Sequence, residues 1–391
     1  MRQPKIWFVG SGRLYLRIPI MKVLREHGFC CAAVGPEECS EFDGTGFEYF
    51  QYPLTRSVNP LSDRRALHSL TRLFAEHRPD IVHAVNTKPS ILVPMAASRA
   101  GVTAVRTITG LGAVYSSTTP LTWMMRPFFR WAFRKTSKLS ARTIFQNPDD
   151  QQFFLENHLE IPSQTELIRS SGIDVGEYRN RAATAESLQQ LRRKLDLEDK
   201  IVVTMITRLI KPKGVEEYLS AAATVRQQYP HVRFLLIGNA VTQGPLAIPV
   251  SRVEKHPDVS YLGPRSDIPD VLSISDVFAL PSYFREGIPR VLLEAGAMKL
   301  PLVTTDSPGC REVVRHEYNG LLIEPRNTDS LSAAILRMVR SENDRTTMGD
   351  RSHEFVSEHF HLNTVAAAYE KVYRQVLEQT GWSNATRNRA A

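Results

Sequence analysis

KIVVTMITRLIKPKGVEEYLSAAATVRQQYPHVRFLLIGN (200–239) opens on a Val, Ile and Met run and breaks at a loop carrying Arg208 and Lys213. It turns helical from Gly214 and returns to an apolar run at 232–239. Both runs are continuously apolar, as strands buried on both faces of a parallel sheet are. The helical stretch between them is the crossover that parallel strands require. The same alternation recurs outward in both directions. Apolar runs fall at 5–10, 29–35, 80–85, 103–109 and 142–147, then at 200–207, 232–239, 259–263, 276–282, 300–306 and 320–325. Helical patterns lie at 18–27, 61–77, 187–196, 214–229, 289–298 and 328–340, with a last one at 362–377. Strand–helix alternation of this kind predicts an α/β fold with right-handed crossovers.

The series starts twice. The expectation is two Rossmann-like, doubly wound parallel-sheet domains, 1–168 and 169–361, with a polar, helix-prone connector near 176–199. A C-terminal helix, 362–381, would pack back on the first domain, and 382–391 would be a flexible tail. Two such domains facing each other make a cleft, where ligands of open α/β sheets collect.

Composition narrows the class. The 391 residues are 42% hydrophobic and 23% charged, an ordinary globular balance that excludes disordered, collagen-like and coiled-coil chains. No apolar stretch reaches the roughly 18 residues of a spanning helix, and MRQPKIWFVGSG enters a strand pattern without an h-region, so no signal peptide is expected. Cys30, Cys31, Cys39 and Cys310 show no CxxC spacing, and adjacent Cys30 and Cys31 are a poor start for a disulfide framework. A reducing cytosol and inert thiols are the simplest reading.

The net charge is +8, and it is concentrated. Between Asp80 and Asp149 there is no acid, while Lys88, Arg99, Arg106, Arg126, Arg130, Arg134, Lys135, Lys138 and Arg142 all fall there. Such a field attracts nucleic acid, acidic lipid or a phosphorylated substrate. Within it, TPLTWMMRPFFRWAFRKTSKLS spaces Arg126, Arg130, Arg134 and Lys138 every four residues, on one helical stripe, among Trp123, Phe128 and Trp131. A basic amphipathic helix bearing aromatics is the pattern of a membrane-surface element; a half-buried helix with a solvated basic edge gives the same pattern. Trp123, Arg126, Arg130 and Arg134 are the membrane-facing candidates. No zinc-finger spacing, RNP-like run or basic zipper supports nucleic-acid binding.

Four strings carry candidate chemistry. PSYFREGIPRVLLEAGAMKLPLVTTD (281–306) leaves a strand, places Glu286 and Gly287 on a loop, starts a helix near Pro289 and puts Glu294 inside it. Helix-start N–H groups receive phosphate or sugar oxygens, and a neighbouring carboxylate accepts from vicinal hydroxyls. Such charge-assisted bonds are worth about 1.5–3 kcal/mol each. A first-turn acid plus an exposed helical Glu would give the same pair without a ligand. In MITRLIKPKGVEEYLSAA (205–222), Arg208 and Lys213 beside a helix start form a diphosphate clamp, or are solvated loop charges. VGSGRLYLRIPIMKVL (9–24) has Gly10 and Gly12 between a strand and a helix, half of a dinucleotide fingerprint whose third glycine is Tyr15. TITGLGAVY (107–115) places Thr109, Gly110 and Gly112 on a loop after a strand.

Together these strings resemble the family-4 retaining glycosyltransferases of the GT-B fold, from Val9 to about Leu377. RIPIMKVL, TRSVNPL, TGLGAVY, YLGPRSDI and LPSYFREGIPRVLLEA are similar, more narrowly, to bacterial N-acetylhexosaminyltransferases that extend a polyprenyl-diphosphate-linked sugar at the cytoplasmic membrane face. The resemblance implies that Glu286 and the backbone of Gly287, Ile288 and Pro289 hold the donor sugar. It implies that Glu294 binds the ribose, and that Arg208 and Lys213 clamp the diphosphate. Arg290, Arg265 and Gly12 join the donor set, Arg265 from the segment resembling a nucleobase pocket. Many relatives carry His where Thr109 stands, so Thr109, Gly110 and His83 are the acceptor-side candidates and no general base is assigned. The implied reaction moves a sugar from a UDP-sugar to a lipid-linked sugar with retention. It involves no cofactor, no metal and no nucleic acid, at an anionic membrane surface. An epimerase, a phosphorylase, a Rossmann oxidoreductase or a non-catalytic sugar-binding protein would share the architecture.

Overall fold

Each apolar run is a strand in the computed structural model, trimmed by a residue or two at its ends. The structure describes residues 2–55, 59–111, 115, 120–170, 172–241, 244 and 246–382. The chain divides into two units, Met1–Gly172 with Leu362–Ala391, and Ile173–His361.

In the first unit β1 (Lys5–Val9), β2 (Cys30–Gly35), β3 (Glu48–Gln51), β4 (Ile81–Val85), β5 (Thr103–Ile108), β6 (Arg142–Phe145) and β7 (Thr165–Leu167) pair in parallel. Their order is β3-β2-β1-β4-β5-β6-β7. The helices are α1 (Ile18–Glu26), α2 (Pro60–His77), α3 (Pro89–Ala100), α4 (Pro120–Ser137) and α5 (Pro148–Glu156). Pro stands at the first or second position of α1, α2, α3 and α5, where its missing N–H costs nothing. Asn59 and Asn147 cap α2 and α5 through their side chains. The pleat sends alternate residues of β1 to opposite layers. Ile6 and Phe8 meet α1, and Trp7 and Val9 meet α2 and α3.

The second unit builds β8 (Ile201–Ile206), β9 (Val232–Ile237), β10 (Val259–Tyr261), β11 (Val277–Leu280), β12 (Leu302–Thr305) and β13 (Gly320–Ile323) into a parallel sheet ordered β10-β9-β8-β11-β12-β13. Its helices are α6 (Val175–Asn180), α7 (Ala185–Lys194), α8 (Val215–Gln228), α9 (Val250–Glu254), α10 (Ile268–Ser273), α11 (Arg290–Ala297), α12 (Thr328–Arg340) and α13 (Glu342–His359). One continuous core fills this unit. The chain then returns to the first unit as α14 (Leu362–Gln379), whose Val365, Tyr369, Val372, Tyr373 and Val376 are buried with Phe8 and Ile81. Strands β3 and β7 and helices α3, α5, α9, α10 and α13 go beyond the elements expected from pattern. Among the described residues no helix is long and apolar enough to cross a membrane.

Candidate active site

In an open parallel sheet, ligands gather beyond the carboxyl ends of the strands where the order reverses. In the second sheet that point lies between β8 and β11, which are neighbours. The loop after β8 carries Arg208 and Lys213, and the loop after β11 carries Ser282 to Pro289. Strings some 70 residues apart in sequence are therefore adjacent for a topological reason: Tyr283 N donates to Pro212 O at 2.9 Å. Two glycines permit the approach. Gly214 has φ 79°, and a Cβ there would lie 2.1 Å from Pro281 O. Gly309, after β12, has φ 84°, and its Cβ would lie 2.1 Å from Gly287 O. Any side chain at either position would push the loops apart.

Lys213 and Glu286 meet in this place. Lys213 Nζ lies 2.5 Å from Glu286 Oε1, and both side chains are largely buried. Ser282 Oγ donates to the same carboxylate oxygen at 2.9 Å, and the Lys213 ammonium stands 5.5 Å from the Phe284 ring centroid. Beneath them, burial first and then the Glu286 charge push the Cys310 thiol up to about 12, so it stays protonated. Helix starts complete the surroundings. Asp174, Thr184, Asn327 and Ser341 cap α6, α7, α12 and α13 with side chains. The two helices entered from these loops, α8 and α11, have no side-chain cap, and neither do α9 and α10 elsewhere in the unit. The first N–H groups of α8 and α11 are an anion-binding arrangement beside a buried lysine. Pro289, expected in the first turn, is the N-cap residue of α11.

Glu294 sits one turn into α11, where Arg290 Nε donates to its Oε1 at 2.9 Å. Burial raises its carboxyl above the ordinary value; Arg290, Arg181 and Tyr178 pull it back. Tyr178 of α6, in turn, is raised by burial and then by the Glu294 charge. Sequence reasoning missed Tyr178 and Arg181, which lie in the connector. An aromatic in the polar stretch DVGEYRN is the one sign of a packed position there.

The other candidates are placed as follows. Arg208 is exposed on the loop after β8. Ile288 is half-buried against the core. Arg265 pairs with Asp267 through Nε and Oδ1 at 2.8 Å, so its charge is already matched. Gly12, Thr109 and Gly110 follow β1 and β5 in the first unit, at the carboxyl edge of its sheet. Gly112 lies outside the described residues. His83 is corrected: it is fully buried inside β4, with Nδ1 2.6 Å from Tyr373 Oη and Nε2 2.7 Å from Thr107 Oγ1. Burial, then Arg17, hold its pKa well below the usual value. Both ring nitrogens are occupied, so it is a structural residue that touches no acceptor.

On the expected basic stripe of α4, Arg130 and Arg134 are exposed and also make local contacts. Arg134 Nε and an amino group donate to His158 O and Asn157 O at 3.0 and 3.2 Å, and Arg130 donates to Asn157 Oδ1. These arginines cover the C-terminal end of α5, where orphan carbonyls favour cations. Arg126 stacks on Trp123 at 4.7 Å. The outward surface of α4 also carries large apolar side chains: Trp123 is 62%, Met124 75%, Phe128 57% and Trp131 57% exposed.

Comparison with known proteins covers both units. Residues 5–143 match the family model described as Glycosyl transferase 4-like, and 188–355 match Glycosyl transferases group 1. Among curated relatives, the N,N'-diacetylbacillosaminyl-diphospho-undecaprenol alpha-1,3-N-acetylgalactosaminyltransferase of Campylobacter jejuni is 25% identical over 373 residues, 94% of this chain and 97% of that protein. The UDP-Gal:alpha-D-GlcNAc-diphosphoundecaprenol alpha-1,3-galactosyltransferase of Escherichia coli is 28% identical over 74% of each chain. HepE of Anabaena, solved with UDP and glucose, superposes with a TM-score of 0.76 at 20% identity, over 95% of this chain and 100% of its own. Sucrose-phosphate synthase of Thermosynechococcus elongatus gives 0.78 at 18%, over 97% and 100%. With one such domain in each unit, the chain is a glycosyltransferase of the GT-B fold, belonging to the group 1 and 4-like glycosyltransferases.

Proposed function

We propose that the protein transfers an N-acetylhexosamine from a UDP-sugar to a sugar carried on a polyprenyl diphosphate, with retention at the anomeric carbon. The observation that carries this reading is the buried Lys213–Glu286 pair between the uncapped starts of α8 and α11. Lys213, the helix starts and Arg208 offset the charge that builds on the leaving diphosphate. Glu286 and the Gly287–Pro289 backbone hold the sugar hydroxyls, and Glu294 holds the ribose. The bond from the anomeric carbon to the diphosphate oxygen breaks, giving an oxocarbenium-like state. The acceptor hydroxyl attacks the same face, its proton passes to a leaving phosphate oxygen, and UDP departs. The cations come from the chain itself, so no metal takes part. The lipid-linked acceptors named for the two curated relatives support the choice of acceptor.

The test is a donor screen against a polyprenyl-diphosphate-linked sugar, scored by lipid-glycan mass. UDP-GlcNAc or UDP-GalNAc is expected to add one residue, with or without EDTA. Preference for UDP-glucose or GDP-mannose, or sugar release without acceptor, would reject the assignment.

The acceptor's location requires the enzyme to work at the inner face of the cell membrane. The exposed aromatics of α4 in an acid-free segment support peripheral attachment there. Vesicle binding is expected to rise with anionic lipid and fall with salt. Equal binding to neutral and anionic vesicles would contradict this.

A further inference from the structure

Between α2, α3 and α4 the first unit holds an apolar cavity of about 540 Å³, inside the ~300–1,000 Å³ range of ligand sites. Its floor is Leu92 and Leu111, and its walls are Ile91 and Met95 from α3 and Met125 and Phe129 from α4. Phe128 and Trp131, two of the exposed aromatics, line it as well, so the cavity is continuous with the apolar outer face of α4. Its polar lining is cationic in balance. Lys88 is paired with Asp63 at 2.5 Å, and the exposed Lys135 stands 5.2 Å from the Trp131 ring centroid.

An apolar slot that opens on an aromatic face with cations at its lining fits a ligand with a hydrocarbon tail and an anionic head. We infer that this slot takes the first isoprene units of an isoprenoid diphosphate, with the diphosphate against Lys135. The occupant's identity rests on the lipid-linked acceptor proposed above. On this reading the enzyme draws the lipid's proximal carbons out of the bilayer, so chain chemistry contributes to acceptor choice.

The test titrates the full chain with farnesyl diphosphate, geranyl diphosphate and inorganic diphosphate, below micelle concentrations and without vesicles. Calorimetry gives the affinities, and an emission change that is lost in Trp131→Phe reports on the slot. Farnesyl diphosphate is expected to bind at least about ten-fold tighter than inorganic diphosphate, with geranyl diphosphate between them. Met95→Trp fills the slot and Ile91→Asp makes it polar; both positions are half-exposed, and near-UV circular dichroism checks folding. Each variant is expected to bring farnesyl diphosphate to within about two-fold of inorganic diphosphate. Equal affinity for the three ligands, or a preference that survives in both variants, overturns the slot. So does a preference abolished by Trp123→Ser with Met124→Ser but kept in Met95→Trp, which would assign the chain to the outer face. A folded enzyme that shows the preference yet transfers no sugar sinks the acceptor reading and keeps the slot. One that transfers sugar without the preference sinks the slot alone.

Discussion

Lys213→Ala is expected to lower kcat by at least about 100-fold, a loss of about 2.7 kcal/mol of transition-state stabilisation. The reasoning starts from the desolvated position of the ammonium. A cation held in a largely buried place, with the Phe284 ring beside it and Ser282 bonded to its partner, interacts with new negative charge far more strongly than a solvated one. That charge exists in full only as the sugar–phosphate bond breaks, so the loss falls on kcat more than on donor KM. The variant also strips Glu286 of its counter-ion, which by itself would disturb the loop. Lys213→Ala with Glu286→Gln separates the two effects. If the single variant fails only through an unpaired carboxylate, the double variant is as active as Glu286→Gln alone, which already lacks the carboxylate's contact with the sugar. The clamp predicts that the double variant is less active than that. Single-turnover kinetics with saturating donor decide between them, and turnover within about threefold of wild type in Lys213→Ala would reject the clamp.

Much of this site was legible because its parts obey local rules. Runs such as IVVTMI and VFAL are buried on both faces and read as strands without any partner in view. The neighbouring position of the two loops then follows from the doubly wound order. What the sequence hid was set by distant packing. Strand β3 (EYFQ) and strand β7 (TEL) are short sheet edges with half-exposed residues, so neither shows a continuous apolar run. Helix α3 is buried along much of its surface and carries Pro94 inside it, which erases the amphipathic period and imitates a loop. Helix α13 is polar along most of its length. His83 owes its burial to Tyr373, 290 positions away, and no local pattern announces that contact. The basic field is likewise weaker than a count of residues implies. Arg106 is fully buried and paired, and Lys88 is matched by Asp63.

That buried arginine sets the second large expectation: Glu160→Ala is expected to destabilise the first unit by about 3–5 kcal/mol. The Arg106 and Glu160 side chains are both fully inaccessible and meet at 2.6 Å. Arg106 Nε donates to Thr143 Oγ1 of β6 at 2.9 Å. One amino group donates to Thr136 Oγ1 of α4 at 2.6 Å and to Ser90 O of α3 at 3.2 Å. Glu160 also accepts from Ser137 Oγ and, at 3.2 Å, from Ile161 N. Burial lowers the Arg106 pKa and Glu160 raises it back, so removing the acid leaves a desolvated cation with only neutral partners. Arg106→Met with Glu160→Leu removes both charges, and it is expected to be more stable than Glu160→Ala. The measurement is clean because Trp7, Trp123, Trp131 and Trp382, all four tryptophans, belong to the first unit. Denaturant unfolding followed by Trp emission therefore reports this unit even where the two units melt separately. A cost below about 1 kcal/mol for Glu160→Ala would mean that water or rearranged carbonyls satisfy the guanidinium. The pair would then not be what fixes α3 and α4 to the sheet. A large cost places the anchor of both walls of the apolar slot on one ion pair. The outer helix would then loosen in Glu160→Ala, and farnesyl diphosphate binding would weaken before the unit unfolds.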